Sequence, residues 1–271
     1  MALSLHSCGL KDEEIPGYIH VSDYQLDVRG FEGSNSSKVN AIWVLQNNLE
    51  QGVYELPATF PVLPSNGTNL KILAGITVNG ISTTHIDYPF YTFHEYDHAL
   101  EAGKTDTLVP QWDYADFSSF VFIEDFESGN GFLNINRVDN PSQVFEGDVS
   151  GKMQRDTVFS SQYFQAATVE HYFIPRSAPF VYLEMDYKNN VSFGVGLEAR
   201  QINNPQTITF IKLNVNPQEE WNKIYINLFP DIQTLDADEY RIIFRVQNRD
   251  ISDEEVKIFF DNIKLIYARD I

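Results

Sequence analysis

A two-residue hydrophobic rhythm limits this chain more than any other feature. Leu183-Glu184-Met185-Asp186-Tyr187 alternates apolar with polar side chains, and Tyr240-Arg241-Ile242-Ile243-Phe244 does so in part. Successive residues of a strand point to opposite faces, so this period turns one face towards a core and the other away from it. No segment carries the 3.6-residue spacing of a long amphipathic helix, and no repeat of fixed period runs through the sequence. Aromatic residues make up 14% of the 271 residues, with 20 Phe and 14 Tyr, a bias that suits pleated, half-buried surfaces. The expected fold class is all-β.

The length leaves room for one or two domains. Residues 15–109 read as short strands between turns. Tyr18-Ile19-His20-Val21, Tyr24-Gln25-Leu26-Asp27-Val28 and Ala41-Ile42-Trp43-Val44-Leu45 are strand candidates. Asn47-Asn48 and Gln51-Gly52 suggest a hairpin into Val53-Tyr54-Glu55-Leu56, and Asn79-Gly80 is a tight-turn signal. Pro57, Pro61 and Pro64 confine their stretch to an edge or a loop, because proline lacks the ladder N–H. This spacing fits a small Ig-like β-sandwich. Tyr88-Pro89-Phe90-Tyr91-Thr92-Phe93 reads either as a strap over one sheet or as an exposed contact patch. Residues 110–119, with Pro110 and Trp112-Asp113-Tyr114, read as a linker. Residues 120–271 form a second domain, with strands expected near Phe120–Phe126, Phe180–Tyr187, Val191–Arg200, Ile208–Val215, Trp221–Leu228, Tyr240–Gln247 and Val256–Tyr267.

Charge and cysteine content exclude several functions. The net charge is -19, from 38 acidic and 19 basic residues, and no Lys/Arg cluster offers a face for phosphate, so nucleic acid is not a partner. The acidity serves solubility, or some carboxylates gather around a cation such as Ca²⁺. The single cysteine, Cys8, permits neither an intramolecular disulfide nor a cysteine zinc site. No apolar run is long enough to span a bilayer.

The opening Leu5-His6-Ser7-Cys8 resembles the processing site of a bacterial lipoprotein, where a leucine stands three before the cysteine and a small residue one before it. His6 is an unusual middle residue for that site. The resemblance implies a lipidated Cys8, a signal remnant and tether over residues 1–14, and attachment to the outer membrane by the lipid anchor only. The alternative is a free cysteine in a tail. Lys11 to Glu14 resembles the surface-export tag of some Bacteroidota lipoproteins; the periplasmic face and the cell surface both remain open.

Residues 120–271 resemble a jelly-roll carbohydrate-binding module. The similarity lies in Glu124-Asp125-Phe126-Glu127, Gly151-Lys152, Trp221-Asn222-Lys223-Ile224-Tyr225 and Phe259-Phe260-Asp261-Asn262-Ile263-Lys264-Leu265. It implies a structural Ca²⁺ shared by Glu127 and Asp261, with Asp125 as a weaker candidate; ordinary surface or hydrogen-bonded carboxylates are the alternative. Over the full length, Ile15-Pro16-Gly17-Tyr18-Ile19-His20-Val21 and Gly52-Val53-Tyr54-Glu55-Leu56-Pro57-Ala58-Thr59-Phe60-Pro61 resemble Bacteroidota outer-membrane lipoproteins, some of them accessory to the type IX secretion and gliding machinery. That resemblance implies outer-membrane or periplasmic protein partners.

No catalytic set is legible. A nucleophile elbow, a phosphate loop and a dinucleotide fingerprint are all missing from the sequence. His94 and His98 would share one helical face, but on a strand they lie about 13 Å apart and read as a solvated edge. A glycosidase needs paired carboxylates in a cleft, and two small sandwiches leave little loop material for one. The chain is therefore expected not to be an enzyme. For sugar binding the candidate stacking residues are Tyr163, Phe164, Tyr172 and Trp221, with core packing as the alternative for Trp221. The preferred reading is an accessory or scaffold subunit of an outer-membrane assembly, which calls for an exposed apolar patch. The alternative is a polysaccharide-binding lipoprotein, which calls for an aromatic platform on one jelly-roll face.

Overall fold

A computed structural model of the chain describes residues 14–63, 69–153, 163–204, 206–247 and 256–269. Cys8, the tether through residue 13 and Pro64 lie outside these residues. The first domain begins with β1 (Gly17–Val21), β2 (Gln25–Asp27), β3 (Ala41–Gln46), β4 (Leu49–Glu55) and β5 (Ala58–Val62). It continues with β6 (Leu70–Thr77), β7 (His85–Asp87), β8 (His94–Tyr96), β9 (Thr105–Thr107) and β10 (Gln111–Asp113). Asn47 and Asn48 turn β3 into β4 with φ of 52° and 64°, a left-handed pair that asparagine tolerates. Gln51 and Gly52 sit within β4 and make no turn. Asn79 and Gly80 form the expected tight turn, at φ 56° and 70°.

One sheet runs β4-β3-β6-β7, with β8 also on β6; a second runs β5-β1-β9. Pro61 falls on β5, an edge strand opposite Tyr18, where its missing N–H costs no ladder bond. The stretch expected as a linker is partly strand. β10 pairs with β2, and Trp112 is fully buried, its indole Nε1 donating to the Ile72 carbonyl at 3.0 Å. A buried indole with its N–H satisfied is a core element, so the first domain extends past residue 109.

The second domain comprises β11 (Ser118–Glu124), β12 (Phe132–Leu133), β13 (Ile135–Val138), β14 (Ser150–Met153), β15 (Tyr163–Thr168) and β16 (Tyr172–Phe173). These are followed by β17 (Val181–Asn189), β18 (Phe193–Arg200), β19 (Thr207–Val215) and β20 (Gln218–Asn227), then the short helix α1 (Phe229–Thr234), β21 (Glu239–Gln247) and β22 (Ile258–Ala268). Its two sheets run β13-β14-β22-β17-β20, with β11 on β22, and β12-β15-β21-β18-β19, with β16 on β21. Inward residues such as Leu183, Met185, Phe193, Leu197, Phe244 and Phe260 fill the space between them. The result is a jelly-roll sandwich behind an Ig-like one.

The two domains share a core. The first domain's apolar cluster continues through Tyr182, Tyr225, Ile266 and Ala268, which point outward from the β17–β20–β22 sheet. The aromatic strap lies there: Tyr88, Phe90 and Tyr91 are buried, and Tyr88 packs edge-on against Tyr182 at 5.2 Å. The strap reading of this segment holds for these three residues, while Phe93 is exposed.

Candidate functional site

The outer faces of the two jelly-roll sheets differ. On the β17–β20–β22 sheet the polar half of the alternation is buried against the first domain. Glu184 is 0% exposed and accepts from the Tyr88 hydroxyl at 2.6 Å and from the Tyr114 hydroxyl at 3.0 and 3.1 Å. Lys264, equally buried, donates to the Ser34 carbonyl at 2.6 Å and to the Tyr114 hydroxyl at 3.1 Å. Burial pushes Lys264 down to about 8, although the Glu184 charge opposes it, and burial drives Tyr88, Tyr91, Tyr114 and Tyr225 well above the usual phenol range. This face is a buried polar seam between the domains, bordered by a cleft of about 460 Å³.

The outer face of the other sheet carries none of the first domain's core. Register lines its residues up in rows across the strands. One row is Gln165–Arg245–Gly194–Asn214, the next is Ala167–Ile243–Gly196–Ile211, and a third joins Arg241, Glu198 and Thr209. The middle row is a small, apolar floor. Ala167 and Ile243 belong to neither core cluster, and both are buried, at 5% and 0% exposed. Gly196 is required there: a Cβ would lie 1.9 Å from the Phe210 carbonyl oxygen.

The walls of this furrow are planar and polar. Arg245 donates through Nε and Nη2 to Gln165 Oε1, at 2.9 and 2.6 Å, and its guanidinium lies 4.1 Å from the Tyr163 ring centre. On the other side Arg241 pairs with Glu198 at 2.8 Å, and His171 Nε2 sits 3.5 Å from the same carboxylate. Burial lowers the His171 ring's proton affinity, and the Arg200 and Arg241 charges add to the effect. Glu239 is held by Arg200 at 2.8 Å. Both carboxylates on this face are thus committed to arginines, which leaves no free acid–base pair facing the furrow among the described residues.

Of the sequence candidates for stacking, only Tyr163 belongs to this face. Phe164 is 5% exposed and alternates into the core, so it offers no surface to a sugar. Tyr172 is half-buried, packs on Phe122 at 5.2 Å, and is pushed up to about 12 by burial. Trp221 packs between Phe145 and Phe259, at 5.3 and 6.5 Å, on the other sheet. The sequence reading missed Gln165, His171, Glu198, Arg241 and Arg245. Their one signal was polar alternation along β15, β18 and β21, which says that a face is polar but not that it is uncovered.

The calcium candidates do lie together. Asp125, Glu127 and Asp261 line a cavity of about 220 Å³ with Ser34, Glu146 and Asn262. Four of their six carboxylate oxygens accept hydrogen bonds. Glu127 Oε1 accepts from the backbone N–H groups of Asp148 and Val149 at 2.8 and 3.0 Å, nested against Gly147 at φ 66°. Asp125 Oδ1 accepts from Glu127 N at 3.0 Å. Asp261 Oδ2 accepts from Ser150 Oγ at 2.5 Å, and Oδ1 from Asn262 N at 2.8 Å. Burial pushes Asp261 up to about 7. Among the described residues no three carboxylates or histidines gather so as to hold a metal ion. A Ca²⁺ shell needs about six to eight oxygens, of which Asp125, Glu127, Glu146 and Asp261 bring carboxylates to this cavity.

The sequence matches no protein-family model and no curated protein. Solved structures do resemble it. The family 11 carbohydrate-binding module of Clostridium thermocellum, in complex with a β-1,3-1,4-mixed-linked tetrasaccharide, is 15% identical over 57% of this chain and 98% of its own, with a TM-score of 0.38. The CBM22-1–GH10 modules of xylanase 10B from the same organism, complexed with xylohexaose, are 13% identical over 56% of this chain and 29% of theirs, TM-score 0.39. A structure from work on the promiscuous specificity of carbohydrate-binding modules of the β-sandwich superfamily is 14% identical over 94% of this chain and 99% of its own, TM-score 0.39.

Proposed function

We propose that this chain is a non-catalytic glycan-binding protein that holds a saccharide across the uncovered sheet of its jelly roll. One observation carries the reading: planar polar side chains, Gln165, Arg245 and Arg241, with the Tyr163 ring beside them, stand on the jelly-roll face that the first domain leaves free. A pyranose has an apolar C–H face and a rim of hydroxyls that both donate and accept. Tyr163 can stack on the first, and Gln165, Arg245 and Arg241 can pair with the second in fixed planes. The first domain, by covering the opposite sheet, serves as a rigid mount.

The scaffold reading has less support. Its family-like segments form β1 and the β4–β5 stretch, whose inward residues Ile19, Val21, Ala58 and Phe60 are buried, with Ile19 opposite Phe60. Such residues specify a sandwich and say nothing of a partner. Envelope attachment through Cys8 is proposed on the sequence alone. Mass spectrometry of protein extracted from its own membrane tests it: a lipid adduct on Cys8 is expected, and an unmodified thiol overturns it.

Affinity electrophoresis against a panel of soluble polysaccharides tests the binding reading. At least one should retard the protein, and Arg245→Ala should weaken that retardation about tenfold or more, the worth of a charge-assisted hydrogen-bond pair. Retardation by none of a broad neutral and acidic panel, or equal retardation of the variant, rejects it.

A further inference from the structure

Two lysines are buried in the seam between the domains, and they are held differently. Lys264 donates to the Ser34 carbonyl at 2.6 Å and to the Tyr114 hydroxyl at 3.1 Å. Lys223, whose side chain is 3% exposed, is ion-paired with two carboxylates at longer range: Asp186 Oδ2 at 3.5 Å and Glu184 Oε2 at 3.7 Å. No hydrogen-bond partner meets its Nζ among the described residues. An ammonium–carboxylate hydrogen bond closes to about 2.7–2.9 Å. The pairs Lys104–Glu101 and Lys212–Asp231 reach 2.7 and 2.8 Å.

The gap has a cause. Both carboxylates are served by other donors. Glu184 accepts from the Tyr88 hydroxyl at 2.6 Å and from the Tyr114 hydroxyl at 3.0 and 3.1 Å, and Asp186 Oδ2 accepts from Asn262 Nδ2 at 3.2 Å. Lys223 therefore keeps its charge partners at a distance at which nitrogen and carboxyl face each other without a settled hydrogen bond.

Register fixes the three groups together. Lys223 on β20 lies directly opposite Asp186 on the neighbouring β17. Glu184 stands two residues along β17, so all three side chains leave the same face of the sheet. The side chains of Asp186 and Glu184 are 1% and 0% exposed. Burial pushes the Asp186 carboxyl up from its ordinary range, against the pull of Lys223, which brings its neutral acid within reach. An amine and a carboxyl held side by side have already met most of the entropic cost of condensing, and exclusion of bulk water protects an amide once formed. A neutral amide also avoids the desolvation cost of a buried ion pair.

We propose that Lys223 and Asp186 condense to an isopeptide bond, with Glu184 carrying the proton. One ammonium proton passes to Asp186, leaving an amine and an acid. The Nζ lone pair forms the new bond to Cγ of Asp186. Glu184 takes a second proton from the nitrogen and delivers it to the departing hydroxyl, and the Cγ–O bond breaks. Nitrogen has lost two protons and the carboxyl one oxygen, which leave together as water through the bordering cleft that Lys223 lines. Glu184 ends as it began, and no oxidant or co-reactant is consumed. The bond would tie the edge strand β20 to the interior strand β17. β20 also carries Tyr225, whose carbonyl accepts from Asn79 N of the first domain at 2.8 Å. The crosslink thus secures the strand on which the two domains meet, whatever the furrow binds.

Mass spectrometry of the full chain, unfolded and digested with trypsin, tests this. The peptides bearing Asp186 and Lys223 should be recovered joined, lighter than their sum by one water, with no cleavage after Lys223 and with fragment ions that place the link between these two side chains. Lys223→Met should abolish the joined species. Glu184→Gln, which keeps the side-chain shape, should leave the strands unjoined, with folding checked by circular dichroism. Separate peptides of full mass from the wild type overturn the inference. So does a loss of water that fragmentation places elsewhere or that persists in Lys223→Met. Joined peptides in Glu184→Gln refute the part given to Glu184.

Discussion

Replacing Tyr88 by Phe probes whether the two domains are one thermodynamic unit. The change deletes a single hydroxyl, which donates to Glu184 at 2.6 Å in a seam closed to water. The ring keeps its packing against Phe90, Tyr91, Tyr182 and Tyr225. A hydrogen bond to a charged group contributes about 1.5–3 kcal/mol, and Glu184 keeps the two longer contacts from Tyr114, so a loss of about 2 kcal/mol is expected. Tyr114→Phe should cost more, since that hydroxyl also accepts from Lys264. The double variant should exceed the sum of the two, because Glu184 would keep only Lys223, at 3.7 Å. Urea unfolding followed by circular dichroism and by tryptophan fluorescence reads this out. Trp43 and Trp112 report on the first domain and Trp221 on the second, so both probes should shift together. A shift under about 0.5 kcal/mol would show that Glu184 does not depend on Tyr88. Two separated transitions, with only one moved, would refute the shared core.

Three further outcomes are expected. Lys264, held at about 8 against an unfolded value of 10.5, binds fewer protons in the folded state across that window, so stability should rise with pH from about 8 to 10.5, by about 3 kcal/mol for this group. Lys264→Met should remove that rise, measured as the difference between the two unfolding curves at each pH; parallel curves would refute it. Gly196→Ala should cost about 2–3 kcal/mol and disturb the furrow, since its Cβ meets backbone 1.9 Å away, and an unchanged urea midpoint would count against the pairing of β18 with β19 at this position. Added Ca²⁺, or its removal by a chelator, should leave the melting temperature unchanged where the hydrogen bonds that Glu127 Oε1 and both Asp261 oxygens accept close the cavity; a saturable rise would place the ion there.

Much of the second domain was legible because its signals are local. The strands expected near Phe180, Val191, Ile208, Trp221, Tyr240 and Val256 appear as β17 to β22, since β-branched and aromatic runs bounded by turns need no tertiary information to be read. The Asn47-Asn48 and Asn79-Gly80 turns were legible for the same reason. Trp112 misled: flanked by Pro110 and acidic residues it reads as linker, and only the arrival of β2 and the Ile72 carbonyl makes it core. Phe164 and Tyr163 are neighbours of like chemistry, and strand parity, invisible without the register, sends one inward and leaves the other beside Arg245.

The sequence by itself determined that the strand at Leu183–Tyr187 and, in part, that at Tyr240–Phe244 have an apolar face and a polar one. The tertiary structure decided what each polar face is for. Glu184 and Lys264 alternate just as Arg241 and Arg245 do, yet the first pair is sealed into a seam by the tyrosines of another domain and the second pair borders a furrow. Period-2 patterning records only that a side chain leaves the sandwich core. Whether water, a ligand or another domain meets it depends on which sheet the first domain packs against, a choice made by contacts such as Tyr88 with Glu184, 96 residues apart in the chain.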